Sequence, residues 1–78
     1  MLKKTLKLIV AFPTTSEALK MEKVCRNNSI KGKLIPIPRE ISAGCGMAWS
    51  SEIELKEDVL KLIMDNNIAI DKTYEIFK

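Results

Sequence analysis

The residues best suited to chemistry sit together in Pro36-Ile37-Pro38-Arg39-Glu40-Ile41-Ser42-Ala43-Gly44-Cys45-Gly46. Cys45 is bracketed by two glycines, the residue type that adopts positive φ most readily, so consecutive backbone N–H groups can converge on its sulfur. Such an N–H pocket, or a neighbouring cation, lowers a thiol from its usual pKa of about 8.5 and holds a thiolate. Arg39 is the one formal cation in the stretch. Its permanently charged fork can neutralise a thiolate or an anionic substrate, and can equally pair with Glu40 or another acid. Ser42 can donate to an anion or cap the loop. Gly44 and Gly46 also let another protein's sulfur donor come close. The competing reading is structural: Gly-Cys-Gly as a tight turn into a strand, with a small buried thiol.

What could activate the thiol is restricted by composition. The 78-residue chain contains no histidine, so every Cys-His or Ser-His pair is excluded and activation falls to backbone dipoles or a cation. The second cysteine, Cys25, stands at neither CxxC nor zinc-ligand spacing from Cys45, which leaves no metal site. In a reducing cytoplasm both cysteines are free thiols. Cys25 shares a helical face with Ala18 and Met21 and reads as core; pairing with Cys45 would need Cα atoms within about 7 Å.

The loop must be positioned by the elements around it. Thr5 to Phe12 begins with alternation and ends in a continuous apolar run, the pattern of a central strand buried on both sides. After Pro13, Thr14 stands three residues before Glu17 in capping-box spacing, and a helix is expected from Thr15 to Asn27 with Ala18, Leu19, Met21, Val24 and Cys25 on its apolar side. Asn27-Asn28 is its left-handed terminator. Ile30 to Ile35 reads as an edge strand, given its lysines, Gly32 and the prolines that follow. Met47 to Ile53 is a third strand with Met47, Trp49 and Ser51 on one face. Glu54 to Asn67 is an amphipathic helix burying Val59, Leu60, Ile63 and Met64, and Ala69 to Phe77 contains a last strand.

The order βαββαβ in an α+β chain folds most economically as a ferredoxin-like sandwich, a four-stranded antiparallel sheet with two helices on one face. The first and third strands are then central and the second and fourth are edges. The Pro38 to Cys45 segment becomes an exposed end loop rather than core.

Length limits the chain to one domain over residues 1–78. The longest apolar run, Leu8 to Phe12, is far short of the roughly 18 residues that span a bilayer, and the N-terminus lacks a signal-peptide pattern, so a cytoplasmic protein without membrane contact is expected. Charge is uneven: residues 1–39 hold nine Lys/Arg against two Glu, and residues 40–78 four Lys against eight Asp/Glu. The halves are +7 and −4, which either attract on folding or steer an anionic partner. Few aromatics and no basic run interleaved with them argue against nucleic acid. Lys20, Lys23, Lys31 and Lys33 read as solvated faces, with docking to an acidic donor protein as the alternative.

The run Ile35-Pro36-Ile37-Pro38-Arg39-Glu40-Ile41-Ser42-Ala43-Gly44-Cys45-Gly46-Met47-Ala48, with Phe12-Pro13-Thr14-Thr15 and Ala18-Leu19-Lys20-Met21-Glu22-Lys23 before it, resembles a small bacterial family of selenium/sulfur carrier protein-like domains. The similarity covers nearly the whole chain. It departs at Ala43, where the family often has a second serine, and does not extend to Ser50-Ser51-Glu52. The resemblance implies that Cys45 is the motif cysteine, carrying sulfane sulfur or selenium as a persulfide or selenopersulfide, and that Arg39 is the motif arginine. Donor and acceptor proteins would be its partners. No cofactor is implied, and the resemblance favours a carrier over a stand-alone enzyme without deciding between them. The reading from another class is a small regulatory or adaptor domain that binds a partner through its edge strand or Pro-rich loop, with Cys45 structural. Exposed edge strands also offer a route to oligomers.

Overall fold

The computed structural model describes residues 5–39, 41 and 46–77. The chain runs β1 (Leu6–Ala11), α1 (Thr15–Asn27), β2 (Lys33–Pro36), β3 (Met47–Glu52), a 3-10 turn (Ile53–Leu55), α2 (Lys56–Asp65) and β4 (Thr73–Phe77). The strands form one sheet in the order β2-β3-β1-β4, each neighbour antiparallel. This is the α+β arrangement expected, with β1 and β3 central.

The pleat sorts β1 onto two faces. Leu8 and Val10 join Phe12, Trp49 and the helix residues Ala18, Met21, Cys25, Val59 and Ile63 in the main core. Ile9 and Ala11 point the other way, into a second apolar cluster with Ala48 and Ile41. Leu8, Ile9 and Val10 are all fully buried, which accounts for the unbroken apolar run: both faces of this strand are covered. Trp49 and Ser51 lie on the helix side as their alternation predicts. Gly32 is required by Trp49, since a Cβ there would overlap the indole and come 2.7 Å from the Ser50 carbonyl oxygen.

Both helices end by the same device. Asn28 and Asn66 donate side-chain N–H bonds to Val24 O (2.8 Å) and Leu62 O (3.0 Å). The next residues, Ser29 and Asn67, take positive φ. Ile30 and Ile68 then donate back to Cys25 O (2.9 Å) and Ile63 O (3.0 Å), the six-to-one bond of a Schellman motif. The left-handed residue of α1 is therefore Ser29 rather than an asparagine of the Asn27-Asn28 pair, because the motif needs its turn one residue later.

Other boundaries shift for physical reasons. β2 begins at Lys33, since Ile30 is spent closing α1 and Gly32 lies against Trp49. The second helix opens with the 3-10 turn and becomes α-helical at Lys56. Met64, expected in the core, is 77% exposed, and Leu19 is 53% exposed, as each lies outside the stripe that meets the sheet. Of the Thr14–Glu17 capping box only half forms: Glu17 N–H donates to Thr14 Oγ1 at 3.4 Å, while the Glu17 carboxylate accepts from Ala69 N at 2.9 Å.

Candidate functional site

Three of the residues singled out in the sequence, Ser42, Gly44 and Cys45, lie outside the described residues, as do Glu40 and Ala43. What the structure gives is the frame on either side of them. Ile37 N–H donates to Gly46 O at 2.9 Å, so the two ends of the connection between β2 and β3 are tied together. Ile41 N–H donates to Pro38 O, also at 2.9 Å, closing a turn over Pro38 to Ile41. Arg39 sits exposed on this turn and makes no ion pair among the described residues. Gly46 has φ +73°, and a Cβ there would meet nothing within 4 Å. Its glycine is demanded by backbone angle, not by space.

The connection is not all exposed, contrary to expectation. Pro38 is buried, and Ile41 is only 6% exposed, packed on Ile9, Ala11 and Ala48. The reason lies in the fold. Both helices cover one face of the sheet, which leaves β1 and β3 with apolar side chains on the other; the connection folds back and caps them. Sequence reasoning missed this anchor. The available signal was a lone isoleucine, Ile41, between polar neighbours in a segment with no other use for one.

The same end of the sheet carries the start of α1. Ala11, the last residue of β1, pairs with Ala48, two residues beyond Gly46. The chain then passes through Phe12-Pro13 to the Thr14 cap. Two stretches far apart in sequence, Phe12 to Thr15 and the Pro-rich connection, thus reach one end of the fold. That end is knit further by the Glu17 bond to Ala69 and by Asp71 N–H donating to Ala11 O at 2.7 Å. Helix N-termini present backbone N–H groups and a partial positive charge, the electrostatics an anion requires.

Cys25 belongs elsewhere. It is free, fully buried, and burial pushes its pKa from 9.0 up to about 11. It lies ten residues along α1 from Thr15, about 15 Å at the helical rise of about 1.5 Å per residue, toward the opposite end of the sheet.

A match to the family model described as "Putative Se/S carrier protein-like" runs over residues 7–75. The chain belongs to this family. The match passes through Ser50-Ser51-Glu52, which the motif comparison had left out, and those residues supply the end of β3 paired to β1. No curated protein and no solved structure matches the chain. Among the described residues of this Se/S carrier-like domain, no group of three or more His, Cys, Asp or Glu could hold a metal. No described helix is long and apolar enough to cross a membrane. A groove of about 580 Å³ beside Lys7, Lys31, Lys33 and Ser50 runs along β2 and touches the motif run only at Ile35.

Proposed function

We propose that the chain is a cytoplasmic chalcogen carrier: Cys45 accepts sulfane sulfur or selenium from a donor protein, holds it as a persulfide or selenopersulfide, and yields it to an acceptor protein. The observation that carries this reading is the fate of the other thiol. The sequence has two cysteines; one is sealed in the core with a raised pKa, so thiol chemistry in this family member falls to Cys45.

The transfer needs no general base, in keeping with a chain that lacks histidine. The Cys45 thiolate attacks the outer sulfur of the donor persulfide. The donor's S–S bond breaks, its thiolate leaves with the electron pair, and a new S–S bond forms on Cys45, with no net oxidation or reduction. An acceptor thiolate later repeats the exchange. Arg39, exposed on its turn, offsets the negative charge of the incoming persulfide, while Ser42, Gly44 and Gly46 supply donors and close approach.

The test is direct. Reduced protein is incubated with a persulfide-generating cysteine desulfurase and its intact mass followed. The expected result is the gain of one sulfur, mapped by peptide analysis to Cys45, retained in Cys25→Ser and lost in Cys45→Ser. No gain, with a donor shown to load another acceptor, would sink the proposal.

A further inference from the structure

The entry to β2 forms a ridge between two recesses, both walled by Lys31, Gly32 and Lys33. One is the groove of about 580 Å³ already described. The other, on the helix side, is a cleft of about 410 Å³ between this segment and α1, and it reaches β2 only at Lys33, the first residue of the strand. Its walls carry three exposed cations, Arg26, Lys31 and Lys33, against one carboxylate, Glu22, which stands 3.5 Å from the Arg26 guanidinium. The cleft is therefore positive even after that pair is counted.

Trp49 also lines the cleft. The residue is 2% exposed, and among the described residues its indole Nε1–H donates to nothing. A buried indole N–H ordinarily finds an acceptor, since leaving it unpaired is costly. The ring is oriented by its contact with Gly32: a Cβ there would overlap Cζ2 and come 2.7 Å from Cε2, the carbon bonded to Nε1. The N–H edge of the indole is thus the edge that meets the wall of the cleft.

We infer that this cleft docks an acidic segment of a partner protein, one carboxylate of which accepts the Trp49 N–H while Arg26, Lys31 and Lys33 surround its charge. The N–H calls for an acceptor and the cations call for an anionic one. A singly charged carboxylate suits the cleft better than a phosphate dianion, because Glu22 sits on the rim. Nucleic acid would want a ring to stack on, and that of Trp49 is buried. Lys31 and Lys33 line both recesses, so the positive surface continues across the ridge and outruns a single small anion; a run of acidic residues matches it. Nε1 has no contact with solvent, and the segment reaches it by displacing the long exposed side chains of the rim. The site stands apart from Cys45 and is read by binding alone, so it can fail while the carrier reading holds.

Trp49 is the single tryptophan of the chain, so its indole N–H gives one unambiguous NMR signal. Capped hexaglutamate titrated into the full chain at low salt should move that signal downfield to saturation, together with the amides of Lys31, Gly32 and Lys33. High salt should weaken binding, and capped hexaglutamine should not bind. Trp49→Phe keeps the ring and the surface charge and removes the N–H; it should weaken hexaglutamate binding roughly ten-fold. An indole signal unmoved at saturation, or a Trp49→Phe variant that binds as tightly as wild type, overturns the inference. So does an equal shift with acetate or inorganic phosphate at the same concentration, which would make the cleft a small-anion site only. Should Trp49→Phe unfold, Lys31→Gln with Lys33→Gln decides: undiminished binding by that variant overturns the proposal.

Discussion

Cys25 shows how one position takes a thiol out of chemistry. It is the residue whose carbonyl closes the Schellman motif of α1, and its side chain faces Met21 and the sheet with no solvent exposure. Charge on the sulfur would have to be buried, so its pKa rises to about 11. In the unfolded chain the same thiol ionises near 9. Between those values the unfolded state binds fewer protons than the folded one, so this contribution is intact below pH about 9 and is lost as pH rises toward about 11. The full loss is on the order of 2–3 kcal/mol at most. Urea unfolding across this range should show wild-type stability falling more steeply than that of Cys25→Ala, which is itself weaker at neutral pH by roughly 1–2 kcal/mol through the cavity left. Parallel pH slopes would mean that the thiol is not buried in this way.

Among the elements, the Pro-rich connection has the most to explain. Ile41 holds its middle against Ile9, Ala11 and Ala48, and the Ile37 to Gly46 bond holds its base. Residues 42–45 thus link two anchored points. Ile41→Ala should cost roughly 2–3 kcal/mol, the lower part of the range for truncating a buried isoleucine, since Ile41 retains slight exposure. The rate of Cys45 alkylation should change while the circular dichroism spectrum does not. Unchanged stability and rate in this variant would show the anchor to be incidental. Most of the scaffold was legible in the sequence. β1 declared itself by its run of apolar residues, α1 by Thr14 and its helical stripe, β2 as an edge by its prolines and lysines, and the strand order followed from connectivity. The Ile41 anchor was not legible, because one isoleucine has no period and only the uncovered sheet face gives it a partner. Met64 was misjudged because helical spacing identifies a stripe without fixing how wide a stripe the sheet will cover.

The whole molecule has an electrostatic direction that follows from this topology. α1 and the β2 edge carry Lys20, Lys23, Arg26, Lys31 and Lys33, with Arg39 on the adjoining turn; α2 lies over the β4 side with Glu57, Asp58 and Asp65. Folding does little to cancel the two. Of the ion pairs among the described residues, Lys7 to Glu52 at 2.7 Å joins the basic and acidic halves of the chain, while Arg26–Glu22 and Lys56–Glu75 stay within one half. The attraction of the halves is thus a small part of stability, and the field survives to act on partners. The β2–β3 connection sits on the basic side, so an anionic reactant should reach Cys45 faster than a neutral one of the same size. Alkylation by iodoacetate and iodoacetamide compares the two. The iodoacetate rate relative to iodoacetamide should fall roughly two-fold between low salt and salt high enough to shorten the Debye length to about 3 Å. Lys31→Glu with Lys33→Glu, both exposed positions, should lower the same ratio at low salt and flatten its salt dependence. A ratio indifferent to both salt and charge reversal would place Cys45 outside this field and remove electrostatic steering from the account of how a donor finds it.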